Sequence, residues 1–234
     1  MFNNKFALTA FQLKIIGITL MVVDHLYQMF YFAGVPNWFT MLGRIVAPIF
    51  LFLSAEGFHY TRSRKRYMMT LLTGFWICQI LFMGASYFFP NENVVLMNSI
   101  FGTIFLGTLL MWTYDQFKSR HIWKGLSGIL IFTALTIIPL FAVSYTMANT
   151  TGNPWLVRLI FMIPSPLTVE GGLLFIAMAL FLYIARNKRW IQAVIIALVA
   201  AVTFAFNPAG IQWLMVFSII PILLYNGQEG RKEK

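Results

Sequence analysis

The sequence predicts an all-α membrane bundle of about eight transmembrane helices, with both termini cytoplasmic and a short interfacial or re-entrant helix near residues 155–164. Three observations lead there: the composition, the length of the apolar runs, and the placement of the basic residues. A soluble domain of this length carries roughly 25% charged residues. Here 59% of 234 residues are hydrophobic and 10% are charged, and mean hydropathy is +0.76. Too little polar surface remains to cover a globule, so lipid must be the solvent. The net charge of +10 sits in short clusters between apolar runs, the pattern of topogenic signals and not of a nucleic-acid-binding face. No nucleic-acid partner is expected.

A transmembrane helix needs about 20 mostly apolar residues. Segments 14–34, 38–60, 67–89, 98–117, 125–147, 168–186, 190–206 and 209–226 qualify. The last two are short and divided by Asn207-Pro208-Ala209-Gly210, a turn signal, so seven spans is the alternative. Under strict alternation, Lys5, Lys14, the Arg62–Arg66 run, Lys118, Arg120, Lys124, Arg186, Lys188, Arg189 and the tail Arg231, Lys232, Lys234 share one side. That side is the cytoplasm, and the basic tail favours eight spans. Arg44 and Arg158 are the exceptions. Arg158 lies in WLVRLIFMI, too short to cross a bilayer, hence the interfacial helix. The polar start MFNNK runs straight into the first span, so no removable signal peptide is expected. A lone Cys78 excludes an internal disulfide and a thiolate zinc cluster. With no repeat or soluble segment, residues 1–234 read as a single transmembrane domain.

Charges at membrane depth cost about 2.5–3.5 kcal/mol on insertion scales and mark function by default. Asp24 and His25 lie roughly 15 Å beyond Lys14 at 1.5 Å per residue, near the midplane, and Arg44 lies roughly 9 Å below Trp38. Their depths match, so antiparallel helices can join Asp24 to Arg44, while Gln28 extends the polar seam by one turn. In the second span, Arg44, Pro48, Phe52, Glu56 and His59 share one helical face, and Pro48 is expected to kink the helix. Glu56 and His59 reach the inner end, where Arg62, Arg64, Lys65 and Arg66 are topogenic and also suit phosphate. Asn98 opens the fourth span and Asp115 closes it. Glu170 precedes Gly171 and Gly172 at the start of the sixth, where the helix dipole favours a carboxylate.

Nucleotide loops, a nucleophile-elbow serine and HExxH are missing from the sequence, and the three histidines show no metal spacing. Two chemistries fit. One is a proton-coupled transporter with Asp24, His25 and Glu56 as a relay. The other is a transferase with His25 as general base. Asp24 then orients either the imidazole or, because helix neighbours point about 100° apart, Arg44. A noncatalytic assembly subunit is the third reading.

The stretches LKIIGITLMVVDHL and GRIVAPIFLFLSAEGFHYTRSRKRYMMTLL resemble the TraX family, named for a conjugative-plasmid protein linked to N-terminal acetylation of F-type pilin. The matching positions are Asp24, His25, Gly43, Arg44, Pro48, Ile49, Phe50, Glu56, Gly57, Phe58, Thr61, Arg64 and Tyr67. NSIFGTIFLGTLL, with Asn98 and Phe101, is similar to the family's fourth-span region. TVEGGLLFIAM is similar to a later segment that usually carries Asp-Tyr-Gly, where this chain has Glu170-Gly171. The family is in turn distantly similar to the acyltransferase 3 and heparan-glucosaminide acetyltransferase groups.

The resemblance implies an acyltransferase of the bacterial inner membrane with acetyl-CoA as co-substrate and no metal. His25 is then the base or acyl carrier, assisted by Asp24 and Arg44. Arg62, Arg64, Lys65, Arg66 and His59 hold the donor, its phosphates with help from Lys118, Arg120 or Lys124. Glu56, Asn98 and Glu170 meet an acceptor amine or hydroxyl arriving from outside, on a pilin, another surface protein, or an envelope glycan or lipid. A base at the midplane is reached from both faces, and a thioester there is shielded from water.

Overall fold

The computed structural model describes residues 7–89, 99–149 and 153–230. Among them every element is helical, apart from an isolated parallel bridge between Leu8 and Tyr225. In order these are α1 (Ala10–Phe30), α2 (Trp38–Gly43), α3 (Val46–Tyr60), α4 (Arg64–Phe88), α5 (Ile100–Lys118), α6 (Ile122–Asn149), α7 (Pro154–Ile160), α8 (Gly172–Ile184), α9 (Arg189–Phe206) and α10 (Ile219–Leu223). Short 3₁₀ turns, Tyr31–Ala33 and Gln212–Ser218, follow α1 and precede α10.

Each of the eight apolar runs has a helical counterpart. Five stretches are long and apolar enough to cross a membrane: Ala10–Ala33, Trp38–Tyr60, Arg64–Phe88, Ile122–Asn149 and Arg189–Phe206. The 19 residues of α5 fall outside that group because Asp115 and Gln116 dilute its last turns. α8 and the Gln212–Leu223 stretch are apolar but short.

Local sequence sets the ends. Thr9 and Gln12 form a reciprocal capping box on α1, satisfying donors that a helix start leaves open. Ser63 and Ser99 cap α4 and α5. Asn153 caps the short α7, the helix expected around Arg158. The second span is broken, one turn earlier than its proline. Residue 48 in a helix would donate to the carbonyl of Arg44; Pro48 has no N–H and its ring crowds that carbonyl. The chain therefore stops α2 at Gly43, passes through tighter i→i−3 bonds at Arg44 and Ile45 (3.3 and 3.2 Å), and restarts at Val46. The single continuous polar face expected from Arg44 to His59 is thus interrupted, with Arg44 on the α2 side of the break.

The chain divides into two compact units, Met1–Gly57 with Phe181–Lys234, and Phe58–Leu180. In the first, α1 packs on α2, and α9 packs on the Gln212–Ser218 turn and α10. α3 is its core helix: Val46, Ala47, Ile49, Leu51, Phe52, Leu53 and Ala55 are all buried. By contrast α1 buries only Leu13, Gly17 and Asp24 along one seam. The first and last described segments meet here. Leu8 N–H donates to Leu224 O (2.8 Å) and Asn226 N–H to Leu8 O (2.9 Å), while Ala10 and Phe11 N–H donate to Gln228 and Glu229 carbonyls (2.9 and 3.0 Å). The C-terminal segment thereby takes up two more of the open donors at the start of α1.

The second unit is built on α5, flanked by α4 and α6. Small residues set its spacing. A methyl group on Gly102 would meet Val169 and Phe75, on Gly107 it would meet Ala179, and on Gly128 it would meet Thr113. Close backbone approach of this kind replaces the hydrophobic driving force that lipid removes.

Candidate functional site

The seam of α1 carries the first cluster. Asp24 is 8% exposed and lies against α2, where Gly43 leaves no room for a side chain: a methyl group there would overlap the Asp24 carboxylate. Arg44 Nη2 reaches both Asp24 oxygens, at 3.2 and 3.3 Å, and Gln28 Nε2 donates to Oδ2 at 2.7 Å. Arg44 Nε donates to the Thr40 carbonyl (3.2 Å), Nη2 to Thr40 Oγ1 (3.1 Å) and Nη1 to Gln212 Oε1 (3.2 Å). A carboxylate inside an apolar run is thus matched by a guanidinium fixed from three directions, which is what makes the burial of both charges tolerable.

His25 points elsewhere. It lies on the exposed side of α1, and its Nδ1–H donates to the Met21 carbonyl at 2.8 Å. That bond fixes the tautomer and leaves the lone pair on Nε2. Of the two roles open to Asp24 from sequence, the geometry matches the second: it orients Arg44, and the imidazole is held by backbone.

Glu56 is not beside this cluster but in a second pair. Its carboxylate accepts from Arg189 Nη1 and Nη2, at 3.3 and 3.4 Å. Arg189 also donates to Gln192 Oε1 (3.1 Å), and Gln192 Nε2 donates to the Leu182 carbonyl (2.9 Å). The guanidinium rests 4.8 Å from the ring centres of both Phe52 and Tyr225.

In the second unit, the basic run after α3 divides by role. Arg64 pairs with Asp115 Oδ2 at 2.7 Å and lies over the Phe58 ring. Arg62 and Arg66, with Thr61, Ser63, Tyr67, Thr70 and Leu71, line a groove of about 680 Å³. Lys65 is exposed outside that lining, and half-buried His59 packs on Tyr60. Glu170 sits in the turn before α8, where its carbonyl accepts from Thr103 Oγ1 at 2.6 Å. The following Gly171 and Gly172 have φ of 70° and 54°, a backbone that favours glycine. Asn98 lies outside the described residues. No group of three or more His, Cys, Asp or Glu side chains suited to a metal occurs among the described residues.

Sequence reasoning missed Thr40, Arg189, Gln192 and Gln212. Arg189 was absorbed into a topogenic cluster. Gln192 and Gln212 carried a signal that was available: an amide inside an apolar stretch, as Gln28 is.

A family model described as TraX protein matches residues 10–233. A probable fimbrial assembly protein, FimC of serogroup H1, from Dichelobacter nodosus is 35% identical over 68 residues, 27% of each chain. The chain therefore spans about a quarter of the length of that curated relative. No solved structure matches.

Proposed function

Because the chain belongs to the TraX family, we propose that it is an integral-membrane acetyltransferase, moving an acetyl group from cytosolic acetyl-CoA to an amine or hydroxyl on an extracytoplasmic acceptor. A pilin is the favoured acceptor, in keeping with the fimbrial assembly relative; another surface protein, glycan or lipid shares the same chemistry. The observation that carries this reading is His25. At midplane depth its Nδ1 is committed to Met21, so Nε2 is presented as a base on an open face, one residue from a buried, charge-paired Asp24.

The step balances with one proton. His25 Nε2 takes a proton from the acceptor as the acceptor's lone pair bonds to the thioester carbon. The tetrahedral intermediate then collapses, the C–S bond breaks, and the imidazolium returns the proton to the leaving thiolate. An acetyl-His25 intermediate is the alternative route. Arg62 and Arg66 bind the phosphates of the donor in their groove, while Arg64 holds Asp115. The transporter reading is weakened, since its relay needs Glu56 free and Arg189 holds both of its oxygens.

The setting is the bacterial inner membrane with eight crossings. Support comes from the hydrogen bonds joining Leu8–Phe11 to Leu224–Glu229: ends that lie side by side require an even number of crossings, and the basic clusters assign that side to the cytoplasm.

The test is purified protein in nanodiscs with acetyl-CoA labelled in the acetyl group and an envelope fraction as acceptor. Wild type transfers label and releases CoA. His25→Ala folds equally and is slower by about 10²–10⁴-fold. Wild type that neither binds acetyl-CoA nor releases CoA, with acceptor-rich envelopes supplied, would return the transporter to first place.

A further inference from the structure

Arg64 and Asp115 are joined by an ion pair of 2.7 Å, so the start of α4 and the last turn of α5 are level. Depth can be counted from that level along both helices. Trp76 Nε1–H donates to the Met162 carbonyl at 3.0 Å, and Thr103 Oγ1–H donates to the Glu170 carbonyl at 2.6 Å. At about 1.5 Å per residue, Trp76 and Thr103 each lie roughly 18 Å from the ion pair. That is about half the length of α4, a helix long and apolar enough to cross a membrane. The irregular stretch 161–171, between α7 and α8, is therefore tied at both ends to the middle of the bilayer.

Irregular backbone at that depth is tolerated only where protein buries it or where it lines water. Part of the stretch is buried, at Pro164, Ser165, Pro166 and Val169, and the Ser165 carbonyl accepts from Thr168 and Val169 N–H, both at 3.0 Å. The rest is not. Leu167 and Gly171 are exposed and Glu170 is half-buried. The N–H groups of Gly171, Leu173 and Leu174 have no acceptor among the described residues. Lipid offers these groups none and does not tolerate a carboxylate beside them. Toward the ion pair the space is filled: α8 packs on α5 through Ile176 and Leu106, and a methyl group on Gly107 would meet Ala179. In the opposite direction the stretch leads into α7, which has seven residues.

We infer that residues 161–171 line a water-filled recess, open on the face opposite the Arg64–Asp115 level and about half the membrane deep, which Glu170 makes selective for cations. Walls of low dielectric focus the field of a single carboxylate and concentrate the opposite charge. The recess admits the acceptor's amine in its ammonium form; this last step rests on the acetyltransferase reading, and the recess itself does not.

The test is water accessibility, read without turnover. In full-length protein carrying Cys78→Ser, single cysteines are placed by Leu167→Cys and Leu173→Cys, three residues either side of Glu170. Ile77→Cys is the control, one residue beyond Trp76 and 53% exposed on α4. Right-side-out and inside-out membrane vesicles are treated with membrane-impermeant thiosulfonates, one cationic and one anionic. Both recess cysteines are expected to react in right-side-out vesicles only, the cationic reagent faster by about tenfold or more, with Ile77→Cys unreactive. Glu170→Gln should abolish the preference and Glu170→Asp should keep it, each checked by thermal unfolding. Recess cysteines that stay unreactive, or react only in inside-out vesicles, overturn the recess, as does Ile77→Cys reacting equally fast. Equal rates for the two reagents, or a preference that survives Glu170→Gln, overturn the cation selectivity. An inert wild type whose recess cysteines react sinks the acetyltransferase reading alone; an active one whose recess cysteines do not react sinks the recess alone.

Discussion

Asp24–Arg44 and Glu56–Arg189 lie in the same unit, join the same two chemical groups, and are finished differently. Around Arg189, Glu56 accepts from each terminal nitrogen, and Gln192 accepts another hydrogen and donates its own NH₂ to Leu182. The rings of Phe52 and Tyr225 cover the guanidinium and meet each other edge-on at 5.4 Å. Around Arg44 the partners are spread over several side chains: Asp24, itself held by Gln28, then Thr40 and Gln212. One guanidinium lies against aromatic rings as well as polar groups, and the other is bonded to polar groups from three directions.

The largest expected effect breaks the Glu56–Arg189 pair. Arg189→Met strips Glu56 of its cation in a site where the carboxylate is 9% exposed, and removing one partner of a buried pair costs about 3–5 kcal/mol. Unfolding in detergent by heat or denaturant measures it. Turnover per folded molecule should stay near wild type, and Glu56→Leu added to Arg189→Met should recover part of the lost stability. A variant as stable as wild type but inactive would reverse the assignment of roles.

The Asp24–Arg44 pair should respond in the opposite proportion. Asp24→Asn keeps the shape and leaves Thr40 bonded to Arg44, but loses the charge that fixes Arg44. Charge-assisted hydrogen bonds contribute about 1.5–3 kcal/mol, so turnover should fall about 10- to 100-fold with a smaller loss of stability than Arg189→Met shows. Gly43→Ala sharpens this. It leaves every charge in place and displaces the Asp24 side chain sterically; a fall in turnover comparable to that of Asp24→Asn would show that position, not charge count, matters. Activity unchanged in both would remove Asp24 from the site.

How much of this was legible follows from which physics each feature depends on. Composition and run length reveal lipid as solvent, so the helical class and all eight apolar runs could be read directly. Asp24 and Arg44 were legible as a pair because depth along a helix is linear in residue number, which makes two charges at one depth a one-dimensional match. Arg189 was not. It sits at the first position of α9 among Arg186 and Lys188, and a basic cluster at a span boundary has a sufficient explanation in topology. Only packing reveals that one member turns inward. Which way His25 faces was equally hidden. Asp24 and His25 are neighbours in sequence, and a helix sends neighbours to different sides; choosing between them needs the partner helix, which α2 supplies through Gly43. The break before Pro48 was legible in kind, and its place one turn earlier follows because the missing bond acts on residue 44 and not on the proline itself.

The basic run after α3 gives the smallest and most discriminating contrast, for in the second unit one arginine is held in an ion pair while two line a groove. Arg64 is closed: its guanidinium meets Asp115 and the face of Phe58. Arg62 and Arg66 face the groove. The Arg64 side chain is 37% exposed, and solvent-accessible ion pairs contribute about 0–1 kcal/mol, so Arg64→Met should lower stability by less than about 1 kcal/mol and leave the KM for acetyl-CoA unchanged. Arg66→Met should do the reverse. One charge-assisted contact to phosphate contributes about 1.5 kcal/mol or more, which appears as a rise of about tenfold in that KM with no change in unfolding temperature. Titration with dephospho-CoA and CoA by calorimetry separates the phosphates, because a groove that reads the 3′-phosphate distinguishes these two ligands and a merely topogenic cluster does not. Equal KM values for Arg62→Met, Arg64→Met and Arg66→Met would assign the whole run to orientation in the membrane and move the donor's phosphates elsewhere.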